Sequence, residues 1–206
     1  MDILNQLSSS QGDKTESSNK KVAEICIIEP KLLQDIALGF ESKDKKLQAD
    51  CIEVFTMVSE SCPDLITPFI DKVTPLLTCK ETKIRWEAAH TLAFIANKTP
   101  GHIFTILPEL LEIVERDKST IVRDYTLDAI ANYAKVDKES SENAYGILKK
   151  ALEIWDEKHA KQVFTGFSNI LDNQPNYKNE IQKLAEPYLN AKKKVVVTEA
   201  KKLLKR

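Results

Sequence analysis

The chain has 206 residues, 42% of them hydrophobic and 30% charged, with a formal net charge of −1; this supports one ordinary core, or a row of small units sharing one, and argues against a dedicated polyanion binder. With five glycines and no G-x-G, neither a dinucleotide loop nor a P-loop can be written onto it, because both need glycine where backbone N–H groups approach phosphate. Cys26, Cys51, Cys62 and Cys79 form no C-x-x-C pair, no signal-like N-terminus precedes them and no apolar run nears the roughly 18 residues of a membrane span, so the expectation is a cytoplasmic protein with reduced thiols and no membrane association.

Residues 8 to 20, SSSQGDKTESSNK, hold almost nothing apolar. Such a composition does not offset the entropy of ordering, which predicts a flexible arm over 1–20, with MDILNQL either disordered or a docking helix. A helical, repeating pattern then fills 21–206. A first segment carries Leu47, Cys51, Ile52, Phe55 and Val58; an offset of 37 gives Ile84, Ala88, Ala89, Leu92 and Ile95, and a further 38 gives Val122, Thr126, Leu127, Ile130 and Tyr133. The next offset of 38 reaches Ala160, Phe164, Thr165, Ser168 and Leu171, a weaker copy that recovers its apolar face through Val163 and Phe167. In-register copies with helical spacing identify stacked repeats.

Each of these B-type segments follows an apolar A-type segment: Leu33, Ile36 and Phe40; Phe69, Val73 and Leu77; Leu107, Leu110 and Val114; Ile147, Leu148, Leu152 and Trp155. Pro30, Pro68 (capped by Thr67) and Pro108 are read as helix starts, where the missing N–H is harmless, and Pro75 as an interior kink. Ile181, Leu184, Tyr188 and Leu189, followed by Val196, Ala200 and Leu204, make a short closing unit. The expected fold is therefore all-α: an α-solenoid of antiparallel helix pairs, four full repeats plus a short C-terminal fifth, over approximately 29–66, 67–104, 105–139, 140–175 and 176–206.

A proline early in helix A, a period of about 38 residues and Ile84-Arg85 or Val122-Arg123 at the start of helix B together resemble the HEAT repeat family. The third unit matches best, with Pro108, Leu110, Leu111, Asp117, Val122 and Arg123. The resemblance implies that Asp117 and Arg123 belong to a hydrogen-bond ladder between neighbouring repeats. The first, second and fourth units depart from it, with Gln48 or Lys161 at the arginine position and Cys79 at the aspartate. Arginine suits a bridging role because its planar guanidinium makes several bonds at fixed angles, whereas lysine is a mobile point charge; the chain has 26 lysines and four arginines.

The resemblance says little about activity. Glu87 and His90 form one Glu-x-x-His pair, half of what a di-iron bundle uses, and without a second copy the pattern calls for no metal and no cofactor. Cys51 falls on the core register, as an inert thiol does. Trp86 stands in an outward row and reads either as an interface anchor or as cover for the next repeat. The inward B rows, Gln48, Arg85, Arg123, Lys161 and Glu53, His90, Asp128, Gly166, line the concave face that this architecture uses for binding. That face is either solvated and mutually paired or a groove for a mixed-charge peptide. The expected function is a non-catalytic protein-binding scaffold or adaptor with a protein partner, its contacts drawn from Arg85, Trp86, Glu87, His90, Asp128 and Lys161. The alternative is a helical-repeat nucleic-acid binder, which in the HEAT-like enzymes would be a DNA glycosylase. It draws on the stretch from Lys192 to Arg206, which carries +6 and includes Lys192, Lys193, Lys194, Lys201 and Lys202. As a polar cap on the last repeat, the same stretch needs no ligand.

Overall fold

Short polar turns between long apolar segments force neighbouring helices to run antiparallel, and the computed structural model, which describes residues 2–206, shows helix after helix with no strand among the described residues. The helices are α1 (Ser8–Gln11), α2 (Ser17–Ile28), α3 (Leu32–Leu38), α4 (Lys45–Ser61), α5 (Ile70–Val73), α6 (Thr82–Ile95), α7 (Pro100–Arg116), α8 (Thr120–Ala134), α9 (Lys138–Trp155), α10 (Ala160–Asn173), α11 (Lys178–Ala185) and α12 (Lys194–Lys205). Two compact units divide them, Met1–Lys98 and Thr99–Arg206.

In the first unit α4 is the central helix, packed against α2, α3 and α6. Cys51, Ile52, Phe55 and Val58 are fully buried on it, and Phe55 meets Phe40 and Phe69 edge-on at 4.8 and 5.3 Å. Gly39 faces the Cys51 sulfur so closely that no Cβ fits there. Pro75 acts as expected: α5 stops at Val73 and Thr74–Thr78 continue as a 3-10 turn, since proline has no N–H to extend the α ladder.

In the second unit α8 packs on α7, α9 and α10, and α12 closes against α10 and α11. All five predicted α8 core positions are buried. On α10, Val163 and Phe167 are fully buried, as the recovered face requires, whereas Thr165 is exposed. In α12 Val196 and Ala200 are buried as expected, but the third buried residue is Leu203, with Leu204 half-buried.

Three expectations change. Residues 2–20 are ordered: Ile3 and Leu7 are buried, Asp2 caps the turn at Leu4, and Ser8 and Asn19 exchange backbone-to-side-chain hydrogen bonds of 2.8 and 3.3 Å. The segment is poor in apolar residues, but its polar groups satisfy one another and each such bond contributes about 1 kcal/mol. Pro108 lies inside α7, which starts at Pro100 ahead of the boundary expected at 105. The carbonyl it deprives belongs to Phe104, which is 52% exposed and so within reach of water. Lastly, α9 begins at Lys138, ahead of the expected boundary at 140, with Asp137 accepting the Ser140 N–H at 2.8 Å as its cap.

Candidate functional site

The last carbonyls of a helix have no partner within it, and the repeated arginine position supplies one. Arg85 donates to the Cys79 and Lys80 carbonyls at 2.8 Å each, and Arg123 donates to the Asp117 carbonyl. In the first copy Gln48 does the same for the Phe40 carbonyl. The position is thus a clamp on the A–B turn of its own repeat. Asp117 takes part in the third copy through its main-chain carbonyl, while its carboxylate accepts the Ser119 N–H at 2.7 Å.

Arg123 also reaches the next repeat, through residues with no place in the expected ladder. Only 2% exposed, it donates through Nε to His159 Nε2 at 3.0 Å, and its guanidinium lies 4.0 Å from the centre of the Trp155 ring. Because Nε2 accepts, the His159 proton sits on Nδ1, where it is donated to Asp124 Oδ1 at 2.7 Å. The Trp155 indole N–H in turn donates to the Val114 carbonyl at 2.7 Å. Burial pushes the Arg123 pKa down, opposed by Asp117 and Asp124. His159 stands in a polar turn, DEKHAK, and nothing in its local sequence marks it as buried.

Among the proposed partner residues in the first unit, Glu87 is not on the surface: it is 6% exposed and accepts the Trp86 indole N–H. Burial raises its pKa. It lies in the α4–α6 seam because helix B turns this row toward the neighbouring helix. The Thr56 hydroxyl there contacts the Glu87 carbonyl at 3.1 Å and the Thr91 hydroxyl at 3.0 Å. Trp86 is half-buried. His90 stacks on Phe94 at 4.8 Å, and burial lowers its pKa to about 4, so it is neutral at physiological pH. The packing around α4 also engages Glu53 of the inward row, together with Ser9, Asn19 and Asp50, which the sequence did not single out. Asn19 Nδ2 donates to Asp50 and Glu53 at 3.0 and 2.6 Å, the Ser9 N–H to Asp50 at 2.7 Å, and Lys83 pairs with Glu53 at 3.1 Å. The signal was available in Asp50 and Glu53 themselves, two acids interleaved with the apolar face of α4. A groove of about 760 Å³ opens here, bordered by Lys14, Lys45 and Lys46 as well as Asp50 and Glu53.

In the second unit Asp128 is half-buried on α8, its pKa raised to about 6 by burial, with Lys161 opposing and Asp124 adding to the shift. Lys161 is exposed on α10. Farther along the seam, Asn169 and Asn173 of α10 donate to the Ala131 and Ala134 carbonyls at 2.8 and 3.1 Å, an amide ladder between repeats. Lys192, Lys193, Lys194, Lys201 and Lys202 are all exposed, and Lys202 pairs with Glu199 at 2.8 Å. All four cysteines are free thiols, with burial raising Cys26 to about 11 and Cys51 to about 12. Neither is an activated nucleophile. No helix among the described residues is long and apolar enough to cross a membrane.

No family model matches the sequence, and no curated protein matches it significantly. Solved structures do match. A designed armadillo repeat protein superposes with a TM-score of 0.74 at 18% identity over 98% of this chain and 97% of its own. Another, in complex with the peptide (KR)4, gives 0.76 at 18% identity with the same shares. An engineered protein gives 0.74 at 20% identity over 100% of this chain and 98% of its own. These similarities support a helical-repeat solenoid without singling out HEAT repeats. The fold is all-α, of the α-solenoid class.

Proposed function

We propose that the chain is a non-catalytic protein-binding scaffold or adaptor, working in the cytoplasm, that holds a peptide or helix of its partner against residues of its B helices. The contacts are Arg85, Trp86 and His90 in the first unit and Asp128 and Lys161 in the second. Trp86 carries the reading. Its indole N–H is already satisfied by Glu87, and the accessible part of the half-buried ring offers the aromatic surface that anchors interfaces. Glu87, the acid of the Glu-x-x-His pair, is engaged in the α4–α6 seam, which leaves His90 as a neutral, stacked contact residue. The designed armadillo protein in complex with the peptide (KR)4 supports a peptide or protein partner by analogy of architecture.

The test is quantitative capture from a native lysate with the full chain as bait. Trp86→Ala and Lys161→Glu are each expected to reduce the recovered partner at least about tenfold, the effect of losing one anchor of ~1.4 kcal/mol, with an unchanged urea midpoint for Lys161→Glu. Equal recovery by both variants removes the B-helix reading.

A further inference from the structure

The outer face of α12 carries a row of exposed lysines of which only Lys202 is paired, and the scaffold reading makes no use of it. The one acid at its N-terminal end, Glu157, accepts the Lys192 backbone N–H at 3.0 Å. Val196, Ala200 and Leu203 turn inward. Lys194, Thr198, Lys201 and Lys205 follow at helical spacing on the opposite side, all exposed, with Lys192 and Lys193 extending the row. Of these cations, Lys192, Lys193, Lys194, Lys201 and Lys205 make no side-chain hydrogen bond or ion pair among the described residues. The three consecutive lysines also sit where the helix dipole is positive, with no acid in the first turn and no side-chain cap; a cation there is unfavourable.

We infer that this face is a sequence-independent docking surface for the phosphodiester backbone of double-stranded nucleic acid, separate from the protein-binding residues. Charge complementarity calls for a dense polyanion, and the row from Lys194 to Lys205 runs roughly 16 Å at 1.5 Å per residue, enough to meet several phosphates. Single strands are bound by stacking bases on aromatic rings, and α12 has none. Insertion into a lipid surface needs an apolar helix face, and that of α12 is spent against α10, leaving Val195 as its one exposed large hydrophobic residue. Lysine, a point charge, suits backbone contact; the forked guanidinium of Arg206 is already held by Asp172 and the Ser168 carbonyl.

The experiment titrates the full chain with a labelled 20-base-pair DNA duplex at 50 and 200 mM salt. Binding is expected at 50 mM and about 100-fold weaker at 200 mM, as release of counterions from about four phosphates requires. The triple variant Lys192→Glu, Lys193→Glu, Lys194→Glu and the double variant Lys201→Glu, Lys205→Glu are each expected to weaken binding at least about tenfold, whereas Lys20→Glu in α2 leaves it unchanged. The triple variant keeps its fold, because acids at a helix N-terminus are favourable, and circular dichroism checks this. No binding by the wild type at 50 mM, unchanged binding in both α12 variants, or an equal loss with Lys20→Glu overturns the inference. So does equal affinity for polyglutamate of matched charge, or binding to phosphatidylserine vesicles without binding to the duplex.

Discussion

The α4–α6 seam of the first unit and the α8–α10 seam of the second solve one packing problem with different chemistry. Both join B helices of the same period, and both have buried apolar registers. In the first, Glu53 of α4 pairs with Lys83 of α6 and Thr56 meets Thr91, while Asn19 of α2 bridges Asp50 and Glu53 on the adjoining side of α4. In the second the polar groups are an arginine, an imidazole with the aspartate it donates to, Asp124, and two asparagines that reach backbone carbonyls. The repeat therefore prescribes helix position and apolar face, while each seam satisfies its buried polar groups independently. Each set is self-consistent and intolerant of losing one member, since a buried group left without a partner costs more than the bond it made.

That contrast can be broken first at Arg123. Arg123→Ala removes the turn clamp and the donor to His159 and leaves Asp124 and His159 without their cation; the expected loss is about 3 kcal/mol, read as a lower urea midpoint. Hydrogen exchange should rise in α8 and α10 and stay unchanged in α2 and α4. Asn19→Leu is the counterpart in the first unit. It leaves Asp50 and Glu53 facing each other without the shared amide, with an expected cost of about 2 kcal/mol and faster exchange confined to residues 2–28 and α4. If either variant loosens both units equally, the seams are not independent.

The smallest effect sharpens the comparison through pH. Asp128 has a folded pKa raised from 3.8 to about 6, so the folded state binds the extra proton and this group's contribution to stability falls as pH rises from about 4 to 6. Asp128→Asn should accordingly raise stability by about 1 kcal/mol at pH 7, allowing for its partial exposure, and by nothing near pH 3, where both states are protonated. His90 in the first unit has the opposite sign. Its pKa is lowered from 6.5 to about 4, so its contribution is present above 6.5 and lost as pH falls toward 4. Melting temperatures of Asp128→Asn and the wild type at pH 7 and pH 3 check the first claim; a gain persisting at pH 3 would show that the buried charge is not its source.

Periodicity located the B-helix registers well. Ile84, Ala88, Ala89, Leu92 and Ile95 are all fully buried, because apolar spacing is a local property of one helix. The arginine position was also visible as a repeat, but its role was not: a sequence shows that a guanidinium recurs, not whether it turns back to a carbonyl of its own turn or forward to the next repeat. Arg85 and Arg123 both turn back to carbonyls of their own turns, and Arg123 also donates to His159 of the next repeat. His159, Asn169 and Asn173 escaped notice because each acts on a backbone or side chain more than thirty positions away. The order of the N-terminal segment is hidden from the sequence for the same reason, since the acids that hold Ser9 and Asn19 lie on α4.

By itself, then, the sequence determined the all-α class, the repeat period, the apolar faces and the basic character of the last helix, all of which follow from residue spacing along one chain. Only the tertiary structure decided which polar groups are buried together. Glu87 left the surface, His159 became the partner of Arg123, and Asp128 was left half-buried beside Asp124. The physical reason is that burial and hydrogen bonding depend on what a neighbouring helix brings opposite, and a linear pattern does not encode that pairing.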